Sequence, residues 1–182
     1  LGVAVRVLLL SGGLDSAVAL LSCSVDLAIS VDYNQPHRQE LDAARRLANG
    51  AGVPHEVLTV SFPVAPSCGL LGGHDLTASD SVVPGRNILF VALAAIRGAR
   101  DVLLGCNADD QADYVDCRQD VLAQAGAACG VSVSLPLLSM TKGEIIKRAE
   151  ELGLDLSDTV SCYRGLDCGQ CAACKLRGVG RS

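Results

Sequence analysis

The sequence contains no tryptophan, and only 3% of its 182 residues are aromatic. A surface on which the bases of a single strand stack needs several aromatic side chains, so this composition argues against such a platform. Basic residues are also few: 15 lysines and arginines face 20 acidic residues, a formal net charge of −5. Binding a nucleic-acid backbone calls for a basic surface, so we expect no nucleic-acid partner. A small nucleobase remains compatible with this charge.

Long apolar runs are missing as well. The longest, residues 5–10 and 88–96, are far shorter than the ~18 residues of a membrane span. We therefore expect no membrane partner, and the first run suits a core strand better than a signal peptide, which predicts a cytoplasmic protein. With 49% hydrophobic and 19% charged residues, the chain is predicted to be globular rather than disordered. Its length fits one domain with at most a small appendage.

Short apolar segments alternate with longer amphipathic segments, a pattern typical of βαβ units and a parallel sheet. Strands are predicted over residues 5–10, 27–32, 56–60, 101–106 and 131–135. Helices are predicted over residues 17–23, 38–50, 87–97, 117–129 and 142–152. Thr141 and Glu144 have the spacing of a capping box at the start of the last helix. Residues 61–84, with three prolines, are predicted to form a long functional loop or lid.

A candidate ligand-binding loop follows the first predicted strand and leads into a helix. It consists of Ser11, Gly12, Gly13, Leu14, Asp15 and Ser16. Its glycines let the backbone approach a ligand closely, and N–H groups at a helix N-terminus bind anions such as phosphate. The serine hydroxyls can add hydrogen bonds, and Asp15 can hold Mg²⁺ or accept from a backbone N–H. No Walker-type lysine follows. The alternative, a serine-capped glycine turn, accounts less well for the strand–loop–helix context.

Cysteine is abundant, and four of the nine cysteines crowd into thirteen residues: Cys162, Cys168, Cys171 and Cys174. Four thiolates suit a tetrahedral Zn²⁺ site, which is usually structural because no coordination position stays open. An iron–sulfur cluster takes the same four ligands, and the spacing does not separate the two metals. A redox-active Cys-x-x-Cys pair and four unligated thiols are the remaining alternatives.

The glycine-rich segment is similar to the pyrophosphate loop of the N-type ATP pyrophosphatases. Several further segments resemble the 7-cyano-7-deazaguanine synthase family over nearly the whole chain. They are residues 32–37 (DYNQPH), 83–87 (VPGRN), 105–110 (GCNADD), 114–118 (YVDCR), 136–145 (PLLSMTKGEI) and 161–174, which holds the cysteine cluster. Each segment alone is weak evidence for the resemblance, but the order and spacing of all the segments together are specific to the family.

The resemblance implies an α/β, Rossmann-like fold of the adenine nucleotide alpha hydrolase type, with helices on both faces of a parallel sheet and a C-terminal Cys₄ zinc-binding element. Residues 1–153 would form the ATP pyrophosphatase domain and residues 154–182 the zinc-binding element. The implied reaction converts 7-carboxy-7-deazaguanine and ammonia to 7-cyano-7-deazaguanine through an acyl adenylate and an amide, splitting ATP to AMP and pyrophosphate. ATP, Mg²⁺ and Zn²⁺ are the implied cofactors, and the implied assembly is a homodimer.

The same resemblance suggests roles for individual residues. Residues 11–16 would bind ATP, and the candidate catalytic residues are Asp15, Arg86 and Lys142. Asp116 or Asp110 could accept hydrogen bonds from a guanine-like edge, with Tyr114 stacked on the ring. The other substrate-binding candidates are Tyr33, Gln35, His37, Asn87, Asn107 and Arg118. The alternatives are a surface ion pair for Arg86, ordinary helix positions for Lys142 and His37, and solvated loop polarity for the acids and Tyr114.

Two departures from the family pattern bear on the substrate pocket. Asn34 replaces a glycine, which asparagine can imitate because it adopts left-handed backbone. Asp113 also stands where the family has glycine, and it adds charge beside the expected base pocket. An enzyme that stops at 7-amido-7-deazaguanine or ligates another carboxylate stays open for this reason. A non-catalytic zinc-bearing module is a further alternative, against which the intact loop of residues 11–16 argues.

Overall fold

The computed structural model describes residues 5–35, 38–61 and 83–160. In these ranges, parallel strands form a five-stranded sheet: β1 (Arg6–Leu9), β2 (Leu27–Asp32), β3 (His55–Thr59), β4 (Asp101–Leu103) and β5 (Ser132–Ser134). Their order across the sheet is β3-β2-β1-β4-β5. The chain thus places β2 and β3 on one side of β1, and then β4 and β5 on the other side. Ligands of open parallel sheets bind at such a switch point, outside the carboxyl ends of the strands, here β1 and β4.

Helices flank the sheet throughout these ranges: α1 (Leu14–Ser22), α2 (Gln39–Ala51), α3 (Arg86–Ile96), α4 (Ala108–Asp113), α5 (Gln119–Cys129) and α6 (Lys142–Glu151). Short 3₁₀ helices cover Val115–Cys117 and Leu156–Asp158. Because the strands are parallel, every helix that follows a strand begins near the carboxyl edge of the sheet. The N-terminal turns of these helices therefore surround the switch point.

Two hydrophobic cores lie on opposite faces of the sheet. Val7 and Leu8 are adjacent in β1, both are fully buried, and they belong to different cores because successive strand side chains point to opposite faces. Helices α1, α2 and α6 cover the face of Leu8, and α3 and α5 cover that of Val7. Burial on both faces explains the continuous apolar run of β1. The predicted parallel α/β sheet with helices on both faces is thereby confirmed.

The region after β4 differs from the prediction. The predicted strand was wrong in its length, since β4 ends at Leu103 rather than at residue 106. Gly105 instead packs on the start of α1, where an added Cβ would lie 3.0 Å from the carbonyl carbon of Asp15. The helix α4 was not predicted, although a capping box of Asn107 and Asp110 starts it. Helix α5 begins at residue 119 rather than 117, after a 3₁₀ turn.

Several predictions fall outside the described ranges. Most of the predicted loop over residues 61–84 does, and so do His37 and the four clustered cysteines. The chain before the cysteine cluster packs on the sheet domain: Leu156 is buried in the core of α1, and the Val160 N–H donates to the Gly12 carbonyl oxygen at 2.9 Å. No helix within the three ranges has the length and apolar character needed to cross a membrane.

Candidate functional site

The loop between β1 and α1 has a shape that requires glycine. Gly12 adopts a φ of +84°, and a Cβ there would lie 2.2 Å from the carbonyl oxygen of Glu40 and 2.9 Å from the amide nitrogen of Ala44. These contacts would be severe clashes, so no other residue fits without movement of the backbone. The first turns of α2 therefore lie directly against the loop.

Hydroxyl groups of the loop bond to one another and to its backbone. The Oγ atoms of Ser11 and Ser16 are 3.1 Å apart, the Gly13 N–H donates to Ser11 Oγ at 3.2 Å, and Ser16 Oγ donates to the Gly13 carbonyl at 3.0 Å. Gly13 provides no side-chain cap for α1. The side chain of Leu14 is buried in the core and anchors the helix start. The loop thus presents hydroxyls and a helix N-terminus, a combination that suits an anion.

Two predicted catalytic residues meet at this loop. Lys142 Nζ lies 2.7 and 2.5 Å from the two carboxylate oxygens of Asp15, in the first turn of α1. Lys142 is the first residue of α6, and its backbone N–H donates to Asp109 Oδ2 at 3.0 Å. The Lys142 and Asp15 side chains are only 19% and 24% exposed. A cation is therefore positioned beside the loop of residues 11–16.

Asp110 and Asn107 lie at the start of α4, near the Asp15–Lys142 pair. The Asp110 N–H donates to Asn107 Oδ1 at 2.9 Å, and the Asn107 N–H donates to Asp110 Oδ2 at 3.3 Å. The pKa of Asp110 is raised to about 6, first by burial and then by the charge of Asp15, while Lys142 and the Asn107 N–H act to lower it. The predicted acid thus lies within electrostatic range of the Asp15–Lys142 pair. One of its oxygens serves as a helix cap.

Arg86 defines a second part of the site at the start of α3. Its Nη1 donates to the Tyr33 hydroxyl at 3.3 Å, and the Tyr33 ring packs beside Phe90 with centroids 5.8 Å apart. Burial acts to lower the pKa of Arg86. Tyr33, Asp116 and Glu40 outweigh that effect, so the pKa is raised and the guanidinium stays charged. Arg86 therefore carries a positive charge beside Tyr33, and its predicted role in catalysis stays a prediction.

Asp116 and Asn87 are joined by hydrogen bonds. Asp116 Oδ2 accepts from the Asn87 N–H at 3.1 Å, and Asn87 Nδ2 donates to the Asp116 carbonyl at 3.2 Å and to Cys117 Sγ at 3.3 Å. The Asp116 carboxylate thereby caps α3 from outside the helix. It holds the helix start that carries Arg86, which sequence reasoning did not anticipate.

Gln35 lies in the turn after β2, and its side chain bonds to the backbone of that turn. Its Oε1 accepts from the Tyr33 N–H at 2.9 Å, and its Nε2 donates to the Val31 carbonyl at 3.3 Å. The buried amide thus bonds to backbone and shapes the turn in which Asn34 adopts a φ of 66°. The prediction that Asn34 takes over the left-handed conformation of glycine is confirmed.

The remaining substrate candidates are less enclosed, and one acid was missed. Tyr114 is half-buried, and Arg118, just before α5, is exposed. Glu40, in the first turn of α2, was not singled out. Burial raises its pKa to about 8, against the attraction of Arg86. Its sequence signal is weak, because an acid in the first turn of an amphipathic helix, such as the exposed Asp42, is ordinary.

Some known proteins resemble this chain in sequence, and others resemble it in fold. Residues 5–181 match the model of the family described as queuosine biosynthesis protein QueC. The 7-cyano-7-deazaguanine synthase of Ectopseudomonas mendocina (strain ymp) is 36% identical over 211 residues, covering 96% of this chain and 92% of that protein. The protein of that name in Thiobacillus denitrificans (strain ATCC 25259 / T1) is 39% identical over 214 residues, with the same two coverages, 96% and 92%. The NMN synthetase structure from Francisella tularensis superposes with a TM-score of 0.54 at 17% identity, covering 87% of this chain and 66% of that one, a likeness of fold alone.

Proposed function

The chain belongs to the queuosine biosynthesis protein QueC family, and on that premise we propose that it converts 7-carboxy-7-deazaguanine, ammonia and ATP to 7-cyano-7-deazaguanine. The observation that carries the proposal is the glycine loop with the Asp15–Lys142 pair at the switch point of the sheet. This arrangement combines an anion-binding backbone with a cation that can turn toward phosphate.

The loop of residues 11–16 binds the phosphates of ATP in this proposal. Its N–H groups and the hydroxyls of Ser11 and Ser16 donate to phosphate oxygens, and Lys142 exchanges its contact with Asp15 for a phosphate oxygen. Asp15 is the residue that would hold Mg²⁺, which would neutralise charge on the phosphates. Asp15 and Lys142 thus favour departure of pyrophosphate.

The reaction needs two activations. A carboxylate oxygen of the substrate attacks the α-phosphorus of ATP, and pyrophosphate leaves. Ammonia then forms the C–N bond as the bond to AMP breaks, giving the amide. A second ATP adenylates the amide oxygen, and loss of AMP and two protons leaves the nitrile. Arg86 stabilises negative charge on the carboxylate or on departing AMP, because its guanidinium is fixed at the start of α3.

The base pocket is formed by residues around α4 and the turn after it. Asp110 or Asp116 accepts from the guanine-like edge with the oxygen not used as a cap, and Tyr114 stacks on the ring. Asn107 and Asn87 hold these acids in place. Tyr33, His37 and Arg118 complete the set of proposed substrate-binding residues, the first through its contact with Arg86. Gln35 contributes through the turn that its amide holds, since both amide atoms bond to the backbone.

A structural zinc site made by Cys162, Cys168, Cys171 and Cys174 completes the proposal. Thiolates are the ligands that Zn²⁺ prefers in closed sites, and this element would occupy residues 154–182 beside an ATP pyrophosphatase domain of residues 1–153. Metal analysis of the purified protein distinguishes zinc from iron. We further propose a cytoplasmic homodimer without nucleic-acid or membrane partners, in keeping with the net charge of −5.

The test is the mass of the product formed from 7-carboxy-7-deazaguanine, ATP, Mg²⁺ and ammonium. The nitrile is the expected product. Accumulation of the amide without nitrile would favour the second candidate, an enzyme that stops at 7-amido-7-deazaguanine. That candidate draws on Asp113, an exposed acid at the end of α4 next to the proposed base pocket. Unchanged acid would refute the proposed substrate.

A further inference from the structure

Helix α4 is joined by hydrogen bonds to the segment that leads from β5 into α6. The bonds run from the Ala108 N–H to the Met140 carbonyl oxygen at 3.0 Å, from Gln111 Nε2 to the Leu138 carbonyl oxygen at 3.2 Å, and from the Lys142 N–H to Asp109 Oδ2 at 3.0 Å. Because β4 and β5 are neighbouring parallel strands, the segments that follow them lie at the same edge of the sheet. The start of α6 is therefore held by α4, which belongs to the preceding βα unit.

Asp109 supplies the bond that reaches Lys142 itself. Lys142 is the first residue of α6, and the N–H groups of a first helical turn have no partner within the helix. The capping box serves other groups of this turn, since Thr141 Oγ1 accepts from the Glu144 N–H at 3.4 Å and Glu144 Oε2 accepts from the Thr141 N–H at 2.8 Å. Asp109 thus fixes, from outside the helix, the backbone from which the Lys142 side chain extends.

The direction of the Lys142 side chain matters because its ammonium lies at the candidate site. Nζ is 2.5 Å from Asp15 Oδ2, and the side chain is only 19% exposed. We propose, resting on the function proposed above, that Asp109 is a positioning residue for ATP binding. By accepting from the Lys142 N–H, it holds the ammonium within reach of the loop of residues 11–16 before ATP arrives. Such preorganisation strengthens binding, because a long flexible side chain loses less conformational entropy when the ligand binds.

The negative charge of Asp109 has the opposite effect on ATP. Asp109 is exposed, and a carboxylate near the proposed phosphate site repels a polyphosphate. Loss of this charge alone would strengthen ATP binding, whereas loss of the hydrogen-bond acceptor would weaken it through Lys142. Asparagine keeps an acceptor oxygen without the charge, and alanine keeps neither. The Asp109→Asn and Asp109→Ala variants therefore separate the positioning effect from the effect of charge.

The experiment measures the binding of ATP, with Mg²⁺, to the full chain by titration calorimetry. We expect Asp109→Ala to bind ATP about 10-fold more weakly, the effect of one lost hydrogen bond of the charge-assisted kind, and Asp109→Asn to bind at least as tightly as the unaltered chain. In a Lys142→Met background, Asp109→Ala should cause no further loss, because the side chain that it positions is absent. The Lys142 N–H remains in that background, so any purely structural role of Asp109 would persist.

Glu144→Ala is the matched control, since it removes an acid from the start of the same helix without touching α4. Urea unfolding should show that this variant and Asp109→Ala are both less stable, but only Asp109→Ala should lose affinity for ATP. Unchanged affinity in Asp109→Ala, or the same loss in the Lys142→Met background, would overturn the role of Asp109.

The titration needs neither turnover nor the acid substrate. Absence of nitrile and amide with normal ATP binding would therefore overturn the proposed reaction alone, while the variants would still decide the role of Asp109. A chain that binds no ATP would overturn both.

Discussion

Lys142 Nζ lies 2.5 Å from Asp15 Oδ2, although 127 positions separate the two residues along the chain. The contact forms because α1 and α6 pack side by side, with Val18 and Ile145 in one core. Both residues lie in the first turns of their helices, so the packing of these two helices places an acidic and a basic side chain beside the loop of residues 11–16. The geometry of the proposed site therefore depends on how α1 and α6 pack in the core.

Asp15→Ala should abolish AMP formation and leave the fold intact. The carboxylate fixes Lys142 and is the proposed Mg²⁺ ligand, so its loss should slow AMP release at least about 100-fold. The ion pair is partly solvated, so unfolding should be easier by at most about 1 kcal/mol. AMP release and urea unfolding measure the two effects. Asp42→Ala, an exposed acid in the first turn of α2, is the control. Normal turnover in Asp15→Ala would refute the loop assignment.

Lys142→Met should impair the same step by removing the cation while keeping the length of the side chain. We expect the KM for ATP to rise or kcat to fall by about 100-fold, since a charge-assisted contact to phosphate is lost. Lys147→Met changes an exposed lysine of the same helix and should leave both constants unchanged. Steady-state kinetics with varied ATP decide, and equal behaviour of the two variants would contradict the role of Lys142.

The sequence predicted the parallel sheet, the glycine loop of residues 11–16 and the position of candidate site residues at the starts of helices. These features could be predicted because each depends on a local sequence pattern. The apolar run of β1 and the capping box at Thr141 are examples. It missed α4, whose capping box uses an Asn and an Asp instead of Ser or Thr with Glu. It also missed the environment of Glu40, since that depends on how α2 meets Gly12 and Arg86 in three dimensions. Contacts between residues far apart in the chain cannot be predicted from local sequence patterns.

Gly12→Ala should disrupt the loop through two effects that a control can separate. The positive φ alone costs about 1 kcal/mol for a residue with a Cβ, and the approach to Glu40 adds a clash. Gly130 has a similar φ of +71° with nothing within 4 Å, so Gly130→Ala carries the first cost only. We expect Gly12→Ala to be less stable than Gly130→Ala by more than about 1 kcal/mol and to lose AMP formation. Equal denaturation midpoints would show that the loop accommodates a Cβ.

Removal of the proposed zinc should lower the melting temperature as well as the activity. The Val160 N–H donates to the Gly12 carbonyl at 2.9 Å, so the chain leading to the cysteine cluster is attached to the proposed ATP-binding loop. Metal loss should loosen this end of the chain, because structural zinc sites contribute folding free energy. Thermal unfolding with and without a chelator measures the effect, and Cys129→Ser, outside the cluster, is the control for Cys174→Ser. An unchanged melting curve after verified metal removal would argue against a structural metal.

Glu40 should also make stability depend on pH. Burial raises its pKa from the ordinary 4.5 to about 8, so between these values the folded state binds more protons than the unfolded state. Linkage then requires that stability falls as the pH rises from about 4.5 to about 8, because the folded state must ionise a half-buried acid. Asp110, whose pKa is raised to about 6, acts in the same direction over a lower range. That contribution is common to the unaltered chain and to a Glu40 variant.

Glu40→Gln removes the ionisation and should therefore be more stable than the unaltered chain at pH 8, by about 1–2 kcal/mol once partial solvent exposure is allowed for. The difference should shrink toward pH 5, where the acid is neutral in the folded protein. Urea unfolding at the two pH values measures it, with Glu151→Gln as the exposed control. A difference that does not change with pH would mean that Glu40 does not titrate in this range.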